Sequence, residues 1–220
     1  MVHVFVETNW VVDYAAPSHR QTPAARALLA RARRGELGLH LPAFCVVQAR
    51  EVIRKRFQPR GEADAIRQFV RWATSADKLT IPERDAAMRT VNMFESHVRS
   101  ELDRLDSRLA GLRDEPGLEI FAMDDGQLKL AIDISFVTRL DAFDQSVLAA
   151  VLGRSDAIRA LDATSEFAFC ELDSDLQPWD RQGRARMDLR ELYDQRAIWV
   201  YGDFDMSAPV RPTNWHPGSR

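Results

Sequence analysis

Two kinds of hydrophobic pattern alternate along the chain. Short, continuous runs rich in β-branched and aromatic residues occur at Val2 to Val6, Leu37 to Leu41, Leu118 to Met123, Glu166 to Cys170 and Ala197 to Tyr201. Each has the length of a strand buried on both faces. Between them lie segments with helical spacing. Trp10 to Tyr14 predicts a short helical turn, and Thr22-Pro23 opens a helix with an N-cap and a proline at its first position, closed by Gly35. Pro42 starts a helix with apolar positions Phe44, Val47 and Ile53, and Arg54-Lys55-Arg56 occupies its dipole-negative end. Ile66, Phe69, Val70 and Ala73 predict an amphipathic helix over 61–75. From Pro82 to about Leu112 a single narrow stripe runs through Met88, Val91, Phe94, Val98, Leu102, Leu105 and Leu109. Such a stripe packs on the domain or a neighbouring helix, or else serves as a dimer or RNA-clamping arm. Further helices are expected from Gln127 and over Leu140 to Gly153, the latter with its acids at the start and glycine at the end.

Strands alternating with helices predict an α/β fold in three layers, a central, mostly parallel sheet with helices on both faces. The expected organisation is a single domain over 1–205 with a helical insertion at about 60–115, followed by a C-terminal tail at 206–220 ordered only by docking.

Composition narrows the class. With 220 residues, 45% hydrophobic and 29% charged, the chain can bury a core and is not disordered. No run approaches the roughly 18 apolar residues of a membrane helix. Val2 to Val6 meets Glu7 too soon for a secretory leader, so a soluble, cytoplasmic protein is expected. Cys45 and Cys170 stand in apolar settings without CxxC spacing and read as buried thiols. The net charge of -3 excludes binding of nucleic acid through bulk positive charge, so any phosphate contact is local. Lysine stands only at Lys55, Lys78 and Lys129, and the other basic residues are arginines, whose planar fork suits phosphate or which simply reflect base composition.

In an open α/β sheet, ligands bind beyond the carboxyl ends of the strands. Acids at such points are few. Glu7 closes the first strand, Glu51 lies on the helix after the second, Asp144 lies in the first turn of its helix, and Asp173 and Asp175 follow the Glu166 to Cys170 strand. If these segments converge, the carboxylates repel one another unless a cation holds them, and an oxygen-rich cluster suits Mg²⁺ or Mn²⁺. The economical chemistry is phosphodiester hydrolysis. No Walker loop, dinucleotide fingerprint, nucleophile elbow or HExxH is present, and His40 reads as a sheet or core histidine.

Glu7-Thr8-Asn9 after a hydrophobic strand resembles the Asp-Thr-Asn opening of PIN domain nucleases. The resemblance extends to Glu51, to Leu140-x-x-x-Asp144-x-x-Val147-Leu148-Ala149-Ala150-Val151, and to Phe169-x-x-x-Asp173-Ser174-Asp175-Leu176, in the family's order and over most of the chain. It departs in having Glu7 where the family usually has Asp, and Leu172-Asp173 where it often has Asn-Asp. The chain also exceeds the compact toxin nucleases, mainly between Glu51 and Asp144, and is more similar to larger bacterial PIN-like proteins.

The resemblance implies a Mg²⁺- or Mn²⁺-dependent ribonuclease leaving 5′-phosphate and 3′-hydroxyl ends. Glu7, Glu51, Asp144 and Asp173 would be its catalytic and metal-binding acids, with Asp175 as a further ligand and Thr8, Asn9 and Asp141 in support. Each has a plain structural alternative. Glu51 could pair with Arg54 or Lys55, Asp144 could serve the helix N-terminus, and Asp173 and Asp175 could form a turn. Thr8 and Asn9 could cap the following turn, and Asp141 could be an N-cap. Arg50, Arg54 and Lys55 are candidate phosphate contacts, or they complement the helix dipole. Trp199 and Trp215 could stack on bases or dock. Two other readings are a catalytically weak PIN-like module binding RNA or a protein partner, and a toxin held by an antitoxin; a homodimer through the Met88 to Leu109 stripe is a further expectation.

Overall fold

The computed structural model describes residues 1–180 and 182–207. Most of the expected tail, including Trp215, lies outside the described residues. Five strands, β1 (Val2–Val6), β2 (Gly38–Pro42), β3 (Leu118–Phe121), β4 (Glu166–Cys170) and β5 (Ile198–Tyr201), form one sheet of order β3-β2-β1-β4-β5. Every pairing is parallel. Parallel neighbours need crossovers, and helices supply them.

The connection from β1 to β2 runs through α1 (Thr8–Ala15) and α2 (Pro23–Arg33), and that from β2 to β3 through α3 (Ala43–Arg56), α4 (Pro59–Ser75), α5 (Ile81–Asp103) and α6 (Leu105–Gly111). The chain then returns through α7 (Asp125–Val137) and α8 (Ala142–Leu161) to place β4 beside β1, and α9 (Met187–Gln195) leads into β5. Helices cover both faces of the sheet, as the alternating pattern predicts. The reversal of strand order makes the carboxyl ends of β1 and β4 the topological switch point, where α/β sheets open a crevice.

The core forms where the apolar runs meet. Val4, Phe5 and Val6 of β1, Leu39 and Leu41 of β2 and the unbroken run Val147 to Leu152 of α8 are all buried. Each Val, Leu or Phe among them stabilises the fold by about 1.5–3 kcal/mol over exposure. Both cysteines are free and buried. Trp199 is half-buried in β5.

Two sequence expectations, a single long helix and a glycine end to α8, are corrected. The long helix is two, because Arg104 separates α5 from α6. Its stripe is covered by the chain itself: Val91 and Val98 of α5 are buried in the α4–α5 pair, while Leu105 and Leu109 of α6 join the main core. Gly153 does not end α8, which continues to Leu161. A Cβ at Gly153 would fall 2.5 Å from Cγ of Gln127, so this glycine lets α7 approach. The left-handed geometry that ends a helix is met instead at Gly35, whose φ of +74° follows α2. No helix among the described residues is long and apolar enough to cross a membrane.

Candidate metal centre

β1 and β4 are in register, with Val6 opposite Cys170. One residue beyond each strand stands a glutamate, Glu7 and Glu171, so register places the two acids side by side at the switch point. In-register residues on neighbouring strands are only about 4.8 Å apart.

Each glutamate is fixed by one oxygen and leaves the other without a partner. Glu7 caps α1, its Oε2 accepting from the Asn9 amide at 2.8 Å. Glu171 continues the β4–β5 ladder through its own amide, which donates to Tyr201 O at 2.8 Å, and its Oε1 accepts from the Asp173 amide. Glu7 Oε1 and Glu171 Oε2 are buried and have no hydrogen-bond partner. Glu7 is 4% exposed and Glu171 0%.

Above this pair, three aspartates converge. Asp141 is the N-cap of α8, accepting from the Phe143 and Asp144 amides at 2.8 and 2.9 Å, which sets Asp144 in the first turn. Asp173 accepts from the Asp175 amide at 3.0 Å, folding the loop after β4 so that both carboxylates face Asp144. Arg186 pins that loop by donating to the carbonyls of Ser174, at 3.1 Å, and Asp175. Asp144, Asp173 and Asp175 each offer a carboxylate oxygen, and these lie within 4.8 Å of one another. This group could hold a metal ion.

Electrostatics follow from the crowding. Burial, then the charges of Asp141, Asp173 and Asp175, push the Asp144 carboxyl up to about 6. Burial also raises Glu7 and Glu171 well above the ordinary carboxylate range, with the charges of Asp173 and Asp144 adding to it at Glu7 and those of Glu7, Asp173 and Asp144 at Glu171. Among the described residues neither glutamate has an arginine or lysine within ion-pairing distance.

The structure brings together Glu7, Asp144, Asp173 and Asp175 of the expected set, with Thr8, Asn9 and Asp141 beside them. Glu51 is not brought in. Its side chain is 76% exposed on α3 and its nearest cation is Arg50, at 4.0 Å. The physical reason is distance along α3: that helix begins at the sheet edge after Pro42, and Glu51 is more than two turns down it. The α3 side chain that reaches the site is Gln48, whose Oε1 accepts from the Thr8 hydroxyl. Thr8 thus orients a neighbour, while the cap of α1 is Glu7. Arg50 and Arg54 both donate to Asp106, tying α3 to α6, so their forks are already engaged; Lys55 is exposed. His40 is a sheet histidine, bonded to His3 and Glu119.

Sequence reasoning missed Glu171 and Gln48. The signal for Glu171 was available: two five-residue strands each end one residue before a glutamate. A cleft of about 640 Å³ adjoins the site through Asn9 and Leu172, chain neighbours of its acids, and carries Arg20, Arg56 and Phe57 on its walls. Comparison with protein families, curated proteins and solved structures finds no match to this chain.

Proposed function

We propose that the protein is a Mg²⁺- or Mn²⁺-dependent nuclease that hydrolyses RNA phosphodiester bonds. The observation that carries this reading is the convergence of Asp144, Asp173 and Asp175 at the switch point beside two buried, unpartnered carboxyl oxygens. Hard oxygen donors that are in no ion pair among the described residues suit a divalent cation. The sequence resemblance to PIN domain nucleases supports the same chemistry.

A divalent cation at such a site lowers the pKa of a water, orients it in line and neutralises the leaving oxygen. The residues supply the frame. Asp144, Asp173 and Asp175 hold the cation, Asp141 and Arg186 fix the two segments that carry them, and Glu7 and Glu171 form the floor. Arg56 on the adjoining cleft is placed to meet phosphates, with the Phe57 ring beneath it, while Arg20 on the same wall is engaged by Glu62.

End-labelled RNA and DNA oligonucleotides incubated with Mn²⁺, Mg²⁺ or EDTA test the reading. Cleavage is expected only with metal, and Asp144→Asn is expected to abolish it. Metal-independent cutting, or cutting retained by the variant, contradicts it. A second reading, a catalytically weak RNA- or protein-binding module, is favoured by Gln48 standing where α3 was expected to give an acid. It predicts binding without cleavage in the same assay.

A further inference from the structure

The stripe expected to join two copies through α5 is covered by the chain itself, but a second apolar row is covered by nothing among the described residues. α7 packs against α8 and turns Ile134 to the core, with Leu130 and Ala131 beside it. On its opposite face Leu128, Ile132 and Phe136 stand one above another at steps of four, 52%, 57% and 80% exposed. Single exposed apolar residues are ordinary, whereas three large ones in one row on a 13-residue helix mark an interaction surface.

Charge indicates what covers the row. Leu128 and Phe136 lie four residues either side of Ile132, and Asp125 and Arg139 lie seven either side, so the row reads the same from both ends. Lys129 and Asp133 run along one edge of it. All four charged residues are exposed, and none is in an ion pair among the described residues. A second copy laid antiparallel about a two-fold axis at Ile132 opposes each charge with its opposite. Asp125 meets Arg139 of the second copy and Lys129 meets its Asp133, each contact occurring twice, while Leu128 meets Phe136. Laid parallel, the same face sets Asp125 on Asp125 and Lys129 on Lys129, and like charges repel. A partner of one charge sign leaves half of these residues facing their own sign.

We propose that the protein forms a two-fold homodimer in which α7 packs antiparallel on α7 of a second copy, with Ile132 on the axis. A helix of this length spans about 20 Å, so the contact is at the small end of specific interfaces and association is expected at about 10 to 100 µM. The acids at the switch point take no part in it.

Sedimentation equilibrium of the full chain over about 1 to 200 µM is the test. The wild type is expected to pass from monomer to dimer over that range. Ile132→Asp, which sets two like charges on the axis, is expected to weaken association by at least about tenfold. Lys129→Glu should weaken it too, by bringing acids face to face, and adding Asp133→Lys should restore it, a rescue that contact through any other surface does not give. Circular dichroism checks the folding of each variant. A wild type that stays monomeric throughout overturns the proposal, as it would if the chain's own tail or a different protein covers the face. A dimer that Ile132→Asp leaves unweakened, or one that the second charge change does not restore, overturns it as well.

Discussion

Two acids on the same sheet meet opposite fates. Glu119, on β3, accepts from His40 Nδ1 at 2.7 Å and from Arg154 on α8. The His40 contact and then Arg154 outweigh its burial and hold its carboxyl down at about 2. Glu7, just beyond β1 on the far side of β2 and nearly fully buried, is met by Asn9 through its backbone amide and its side chain rather than by a cation, and burial drives it the other way. Asp106 repeats the first pattern at the surface, with Arg50 and Arg54 on it. Glu119 and Asp106, which tie elements of the fold together, each meet a cation. Among the described residues Glu7 and Glu171, at the carboxyl ends of β1 and β4, are in no ion pair, and that difference supports reading the site as one for a cation from outside.

The sharpest way to widen this contrast is pH. A carboxyl whose folded-state pKa stands above its unfolded value adds stability below the unfolded value and loses it as pH rises through the folded one. Metal-free protein should therefore lose stability between about pH 4 and pH 6 through Asp144, on the order of 1–2 kcal/mol after solvent screening, with Glu7 and Glu171 extending the loss to higher pH. Saturating Mn²⁺ should reverse the slope, because the cation binds the deprotonated acids; at about 1,000 times Kd it adds about 4 kcal/mol. Denaturant melts across pH with and without Mn²⁺ check this, and a metal-free stability that rises over that range contradicts it. Glu119 has the opposite sign: its contribution is present above the unfolded value and fades only as pH falls through about 2.

Breaking the paired acid should cost less. Arg154→Ala leaves Glu119 with His40 alone and should lower stability by about 1–2 kcal/mol, the half-exposed position limiting the effect, without changing Mn²⁺ affinity. The smallest effect should come from Glu51→Ala. An exposed acid away from the cluster should move stability by no more than about 0.5 kcal/mol and leave metal binding unchanged, which parallel melts and titrations would show.

Much of this was legible in the sequence. Short continuous apolar runs located all five strands, and N-cap and proline signals placed the starts of α2 and α3, since those are local properties. Asp144 and Asp173 were readable because an acid in a helix's first turn, or just past a strand, must lie at the sheet edge. Glu51 failed for a geometric reason: a helix carries its residues away from that edge by 1.5 Å each, so an acid on the right element can still be on the wrong turn. Glu171 shows its position just past a strand in the sequence, but its meaning depends on strand order. Only once β4 is known to lie in register beside β1 do two separate glutamates become a pair. The division of α5 from α6 was also hidden, because a stripe stepping by three and four persists across the break at Arg104.

The most direct test of the central claim, that the unneutralised acids at the switch point bind divalent cation, is anomalous diffraction from crystals soaked in Mn²⁺. The account predicts a peak enclosed by the carboxylates of Asp144, Asp173 and Asp175, lost in Asp144→Asn. A well-ordered map with those carboxylates in place and no peak between them would contradict it.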